Sequence, residues 1–137
     1  MLIEFTVMGH PAAQKRPRFF RAGDGIRSFD PDKADKYSFA DMAQSYAPDE
    51  PLTVPLDIEL DFYIKRPKSH YRTGKFSNEL KDNAPNVCPK RPDIDNYIKF
   101  VLDSLQGLYF KDDAQVWSMY ARKIYSESPR TEIKIIG

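Results

Sequence analysis

A single cysteine, Cys88, stands in 137 residues. One thiol cannot form an intrachain disulfide and leaves no cysteine-based zinc site. That scarcity leads us to expect a reduced, cytoplasmic setting, with Cys88 an incidental loop thiol. The chain also lacks any apolar run of transmembrane length. Its opening, Met1 to Gly9, alternates apolar and polar residues and carries Glu4, unlike a signal peptide. Internal repeats and low-complexity tracts are missing. Histidine is sparse: His10 and His70 stand apart near loop prolines or basic residues. They read as surface or phosphate-contacting groups rather than as a general base. A net charge of +1 says little about partners. What remains has an ordinary globular composition, long enough for one domain over residues 1–137.

The distribution of charge is more informative than its sum. Lys15, Arg16, Arg18, Arg21 and Arg27 make one basic tract. Lys65, Arg66, Lys68, Arg72 and Lys75 make another, with no acid among them. Acids gather between Asp30 and Glu50 and again in two aspartate clusters, Asp93/Asp95 and Asp112/Asp113. Separated basic tracts around an acidic pocket suit a polyanion held near a metal ion. Taken singly, each of these charges reads equally well as a solvated surface group.

The pattern along the chain is α+β. Leu2 to Met8 reads as a strand. Phe19 to Phe29 holds Gly23-Asp24-Gly25 between aromatic and basic residues, which predicts a hairpin. Asp30 or Asp32 is positioned to cap a helix reaching about Tyr46, with Ala34, Tyr37, Phe39, Met42 and Ala43 as its expected buried positions. Pro55 to Lys65 alternates strictly, with Leu56, Ile58, Leu60, Phe62 and Ile64 on one face and Asp57, Glu59 and Asp61 on the other. Arg66 to Arg91 has no periodicity and is rich in Pro, Asn and Ser. A loop of that length is usually functional or disordered. A second helix is expected over Ile94 to Gln106, with the stripe Ile94, Ile98, Val101, Leu102 and Leu105 and a stop at Gly107. Ala114 to Tyr125 and Thr131 to Ile136 read as a hairpin turned near Ser126 to Arg130.

The aspartates bracket that second helix. Residues two apart do not share a helix face. Asp93 and Asp95 therefore share a ligand only if Asp93 lies at or before the helix start, as Pro92 suggests by favouring an extended Arg91. Asp95, Lys99 and Asp103 then follow at spacing four along one stripe. For Asp112 and Asp113 to join Asp93, the chain after Gly107 must come back along the helix. Carboxylates so gathered, with substrate phosphates, suit Mg²⁺, a hard cation that takes oxygen ligands. A bland alternative accounts for the same residues. Acids at a helix start stabilise it by capping and through the macrodipole. Asp95 with Lys99 is an ordinary pair contributing about 0.3–0.5 kcal/mol. Asp112-Asp113 is then a polar turn, and Asp103 a pairing or solvated acid.

The run Arg91-Pro92-Asp93-Ile94-Asp95-Asn96-Tyr97-Ile98-Lys99, then Val101-Leu102-Asp103-Ser104-Leu105, then Asp112-Asp113-Ala114-Gln115-Val116, resembles the signature of the RusA-like Holliday-junction endonucleases. Gly9-His10-Pro11 followed by Lys15-Arg16-Pro17-Arg18-Phe19 is similar to that family's N-terminal strand and basic segment. The resemblance spans nearly the whole chain and departs chiefly in the Arg66 to Arg91 loop. It implies a small α+β homodimer, a mixed sheet with two main helices, that resolves four-way DNA junctions by Mg²⁺-dependent hydrolysis in recombination and repair. It places the catalytic acids on Asp93, Asp95 and Asp113 and the important lysine on Lys99, with Asp112 sharing the metal site. Lys15, Arg16, Arg18, Arg66, Lys68, Arg72, Lys75 and Arg91 are the expected DNA contacts. Tyr63, Tyr71 and Phe76 are candidates for stacking on unpaired bases, or for packing. Trp117 is expected in the core or a dimer interface. The alternatives are a non-catalytic DNA-binding module and a less selective branched-DNA or flap nuclease on the same fold.

Overall fold

The strictly alternating segment of the sequence becomes an inner strand of the sheet. In the computed structural model, which describes residues 1–137, the chain runs β1 (Leu2–Met8), β2 (Arg18–Ala22), β3 (Gly25–Phe29), α1 (Lys33–Ala43), β4 (Leu56–Lys65), α2 (Ile94–Leu105), β5 (Val116–Ser126) and β6 (Arg130–Ile136). Four strands form a mixed sheet in the order β1-β6-β4-β5. β4 pairs antiparallel with β6 and parallel with β5. Leu56, Ile58, Leu60 and Phe62 are fully buried on the helix-covered face of β4. Asp57, Glu59 and Asp61 point to the open face, as the alternation requires. No helix is long and apolar enough to cross a membrane.

β5 and β6 are not the hairpin their spacing suggested. β4 lies between them, and Glu127 to Pro129 carry the chain across its end. Two strand spacings are about 9.6 Å, within reach of the four residue steps from Ser126 to Arg130. β4 takes the inner position because its wholly apolar face needs cover on both flanks. Parallel strands in turn demand a long crossover, which α2 supplies between β4 and β5.

α2 buries Tyr97, Phe100, Val101, Ser104 and Leu105. The buried face is rotated from the expected stripe, so Ile94, Ile98 and Leu102 form a half-buried row at its margin. Ser104 sits in the core because its hydroxyl donates to the Phe100 carbonyl at 2.6 Å. Gly107, at φ +87°, takes the left-handed stop. α1 touches the core along a narrower line. Phe39 packs edge-on against Phe100 and Ala43 is buried, whereas Ala34, Tyr37 and Met42 face solvent. Asp32 precedes α1 without capping it. Its buried carboxylate accepts instead from the Lys15 amide.

β2 and β3 form the predicted hairpin through a two-residue turn, Gly23-Asp24. Gly23 supplies the positive φ, +59°, that a tight hairpin turn needs. The hairpin is a separate two-stranded sheet whose Phe19 and Ile26 are more than 70 % exposed. The Arg66 to Arg91 segment divides in two. Its first part closes on itself through a Tyr71–Leu80 bridge and an Arg72–Glu79 ion pair at 2.9 Å. Its last part lies along the edge of β5, where the Tyr125 amide donates to Asn86 and the Cys88 amide to Lys123. Cys88 is therefore a packed residue rather than an incidental loop thiol.

One buried polar contact ties the end of α1 to the turn after α2. Tyr109 is fully buried and its hydroxyl donates to the Ala43 carbonyl at 2.5 Å. Burial pushes its phenol up to about 12. Tyr109→Phe keeps the ring and removes this one bond. Its expected cost is about 0.5–1.5 kcal/mol, read in urea as a lower midpoint at unchanged slope.

Candidate active site

Asp93 holds the last extended residue before α2, with φ −66° and ψ 145°. Its carbonyl accepts from the Asn96 amide, but its carboxylate makes no capping bond. Asp95, one turn before Lys99, has 64 % of its side chain exposed and lies 4.0 Å from that ammonium. Neither carboxylate accepts a hydrogen bond within the fold. The capping account thus fails for Asp93's side chain, and Asp95, in the first turn of α2, keeps only its macrodipole contribution and a long, solvated pair.

The first basic tract is fastened beside them. The Gln14 amide donates to the Asn96 carbonyl at 2.9 Å, and the Lys15 amide to Asp32. A cleft of about 360 Å³ results, lined by Gln14, Lys15, Arg16, Asp93, Asp95 and Lys99 without a hydrophobic side chain. Gln14 Oε1 is buried there without a hydrogen-bond partner. The cleft lies between the segment that follows β1 and the first turns of α2.

Asp112 and Asp113 sit elsewhere. They precede β5, and β5 is parallel to β4, so the chain enters β5 at the end of the sheet where α2 finishes. The expected return along the helix does not occur. The twelve residues of α2, a helix about 18 Å long, stand between the two acid pairs. No three acidic, histidine or cysteine side chains of the chain are grouped to hold a metal. Asp112 also has a structural task. It accepts from the Ala114 amide at 2.9 Å, and Gln115 returns the capping contact at 2.8 Å. Asp113 is left with its amide on Gln106 and its carboxyl against Asp112. The hydrogen bond from Asp112, then desolvation and the charges of Asp112 and Asp103, hold Asp113 above the usual carboxylate range. Asp103 is a pairing acid, 3.2 Å from Lys36, which also grips Asp30 at 2.6 Å.

The expected DNA contacts divide similarly. Lys15 and Arg16 flank the acids, and Arg18 opens the exposed hairpin. Arg91 lines a groove with Asp93. Arg66 is engaged in holding the loop, donating to Pro85 at 2.7 Å and Asn86 at 3.3 Å. Arg72 pairs with Glu79 and, like Lys75, stacks over Phe76. Lys68 is exposed in a short turn of the same loop. Tyr63 is covered by Arg130, 3.7 Å from its ring, and His70 packs edge-on against Tyr125. Trp117 is 73 % exposed, so it is no core residue. Sequence reasoning missed the exposure of Phe19, Phe20, Ile26 and Phe29, interleaved with Arg18, Arg21 and Arg27. The signal was the basic-aromatic alternation itself, on strands too short to bury it. It also missed Gln14 and Lys123, neither of which belongs to an acidic cluster.

A family model described as "Endodeoxyribonuclease RusA" matches residues 8–136 of the chain. A Bacillus subtilis (strain 168) protein, "Uncharacterized protein YqaN", is 36% identical over 135 residues, covering 97% of this chain and 94% of its own. The "Crossover junction endodeoxyribonuclease rusA" of Lactococcus phage r1t is 26% identical over 136 residues, covering 96% and 94%.

The Asp112–Asp113 contact has a measurable consequence. A carboxyl raised in the folded state withdraws stability as pH climbs from its unfolded pKa through its folded pKa, and the effect is absent below the unfolded value. Carboxyl NMR titration should place Asp113 above the ordinary value of about 3.9. Asp112→Asn keeps a competent cap and should bring Asp113 back down. An unmoved Asp113 titration would exclude Asp112 as the cause.

Proposed function

The chain belongs to the RusA endodeoxyribonuclease family, and from that premise we propose that it is a divalent-metal-dependent endonuclease that resolves four-way DNA junctions as a homodimer. The observation that carries this reading is the cleft in which the uncapped carboxylate of Asp93 and that of Asp95, only loosely paired with Lys99, stand beside Lys15 and Arg16. The name of the phage relative, a crossover junction endodeoxyribonuclease, supports a junction as the substrate.

The donor set fits Mg²⁺. Asp93 and Asp95 offer carboxylate oxygens, the ligands a hard cation takes, in a cleft without hydrophobic side chains. When bound, Mg²⁺ would neutralise phosphate charge and lower the pKa of an attacking water. The protein's own groups do the rest. Lys15 and Arg16 hold the DNA backbone, and Arg91 and Arg18 extend that contact to either side. Lys99 presents its ammonium one turn above Asp95, where it meets the charge developing on the phosphate. The loop lysines Lys68 and Lys75 add sequence-independent attraction.

A second protomer completes the acids. Asp113 lies beyond the far end of α2, about 15 Å along the helix axis from Asp95 to Leu105, so it serves that cleft only from another copy. Two α2 helices packed antiparallel bring the start of one to the end of the other. The half-buried row Ile94, Ile98 and Leu102, with Met119 and the exposed Trp117 on the β5 edge, supplies an apolar face for that packing. A closed two-fold dimer then offers two equivalent sites to a roughly two-fold junction.

Asp93→Asn, Asp95→Asn and Asp113→Asn should each lower junction cleavage by more than the roughly 100-fold typical of outer-shell losses, with junction binding retained. Full activity in any one removes that residue from the site. Mixing Asp93→Asn with Asp113→Asn protomers tests the shared site. One of the two sites in each mixed dimer regains every acid, so single nicks return. A mixture that forms dimers and stays inactive would mean that each protomer carries its whole site. Junction affinity should fall steeply with salt. Lys15→Ala and Arg16→Ala should each flatten that dependence by about 0.9 in log–log slope.

A further inference from the structure

We infer that Lys123 is a positioning residue, whose ammonium fixes the turn that delivers Asp93 to the cleft. This rests on the reading of Asp93 as a metal ligand.

Lys123 lies on β5, paired in register with Phe62 and thus turned toward α2. Its Nζ donates to the Lys90 carbonyl at 2.5 Å and to the Pro92 carbonyl at 2.7 Å, and stands 6.0 Å from the Tyr97 ring centroid. Its own carbonyl accepts from the Cys88 amide at 3.0 Å. One residue of a rigid strand therefore holds the chain at three points just ahead of Asp93. No other hydrogen bond fastens this stretch, residues 89–92. Pro89 and Pro92 have no amide proton. Asp93 itself is uncapped. Its place therefore depends on the carbonyl immediately before it and on the α2 bond that follows.

The chemistry of the side chain suits this task. An ammonium has three donors and no acceptor, so it can grip two carbonyls at once. Lys123 has no carboxylate partner, although Asp93 lines the same groove. An acid on Lys123 would have drawn it away from the turn. A methionine of similar length would fill the space and release both carbonyls to water, leaving residues 89–92 to move. The carboxylate that should meet the metal would then be ordered only at a cost to binding.

The test uses the full-length protein with Mn²⁺ as the probe, following paramagnetic broadening of the Asp95 to Tyr97 amide signals. Lys123→Met should weaken Mn²⁺ binding by about tenfold, the scale of an outer-shell loss. Junction cleavage should recover toward the parent rate at excess Mg²⁺, which a folding defect would not allow. The salt dependence of junction binding should stay as in the parent. Unchanged Mn²⁺ affinity overturns the inference. So does a salt slope reduced by about one, the mark of a phosphate contact. Should Lys123→Met fail to fold, Lys123→Gln decides. One shorter donor group reaches a single carbonyl and should give an intermediate loss, and parent-like Mn²⁺ affinity overturns the inference there as well. Asp93→Asn measured in parallel separates the two readings. If it binds Mn²⁺ like the parent, the ligand assignment fails. If it loses Mn²⁺ while Lys123→Met keeps it, only the role of Lys123 fails.

Discussion

Two parallel strands cannot be joined by a tight turn, so the chain leaving β4 must travel the length of the sheet before it re-enters as β5. Here the return journey is α2. That constraint decides where every acid of the second half can stand. Asp93 and Asp95 precede or open the helix and lie at one end of the sheet. Asp112 and Asp113 follow it and lie at the other. The same crossover carries the apolar face that covers Ile58 and its neighbours on β4, and it turns Ile94, Ile98 and Leu102 to the margin. Core packing and the separation of the acids are thus two results of one connection.

Around this frame, the carboxylates sort by whether the fold employs them. Asp32 holds the Lys15 amide, Asp30 and Asp103 share Lys36, Asp61 takes Arg122 through two bonds at 2.8 and 3.0 Å, and Asp112 caps a turn. These contacts fix the base of the hairpin, the two helices and the entrance to β5. Asp93 and Asp95 stand outside that network, in a cleft with basic side chains. An acid without a structural partner beside several cations is better placed for an exchangeable ligand than one already bonded, because no contact has to break before it binds.

Much of this was legible along the chain. The period-two alternation of Leu56 to Ile64 marks β4 and its buried face, and Gly23-Asp24 marks the hairpin. The proline ahead of Asp93 and the apolar period after it place that residue before α2. The errors have a common origin. The α1 period includes Tyr37 and Met42, which face solvent because α1 meets the core along only one narrow line. Adjacency in sequence suggests that β5 and β6 pair, whereas an earlier strand separates them. Type alone leaves Trp117 to the core or to an interface, and its exposure on an edge strand removes the core. Each of these points turns on a neighbour far away in the sequence.

By itself the sequence determined which residues are chemically suited to hold a metal and a polyanion, and which local elements carry them. Those properties follow from side-chain type, period and turn-forming residues, all encoded within a few positions. Only the tertiary structure decided which acids share a cleft. Asp93 and Asp95 meet Lys15 and Arg16 because the Gln14 amide reaches the first turn of α2. Asp113 is kept away because β5 pairs parallel to β4. Strand order and direction arise from burying the whole sheet face at once, a condition no local stretch of sequence expresses.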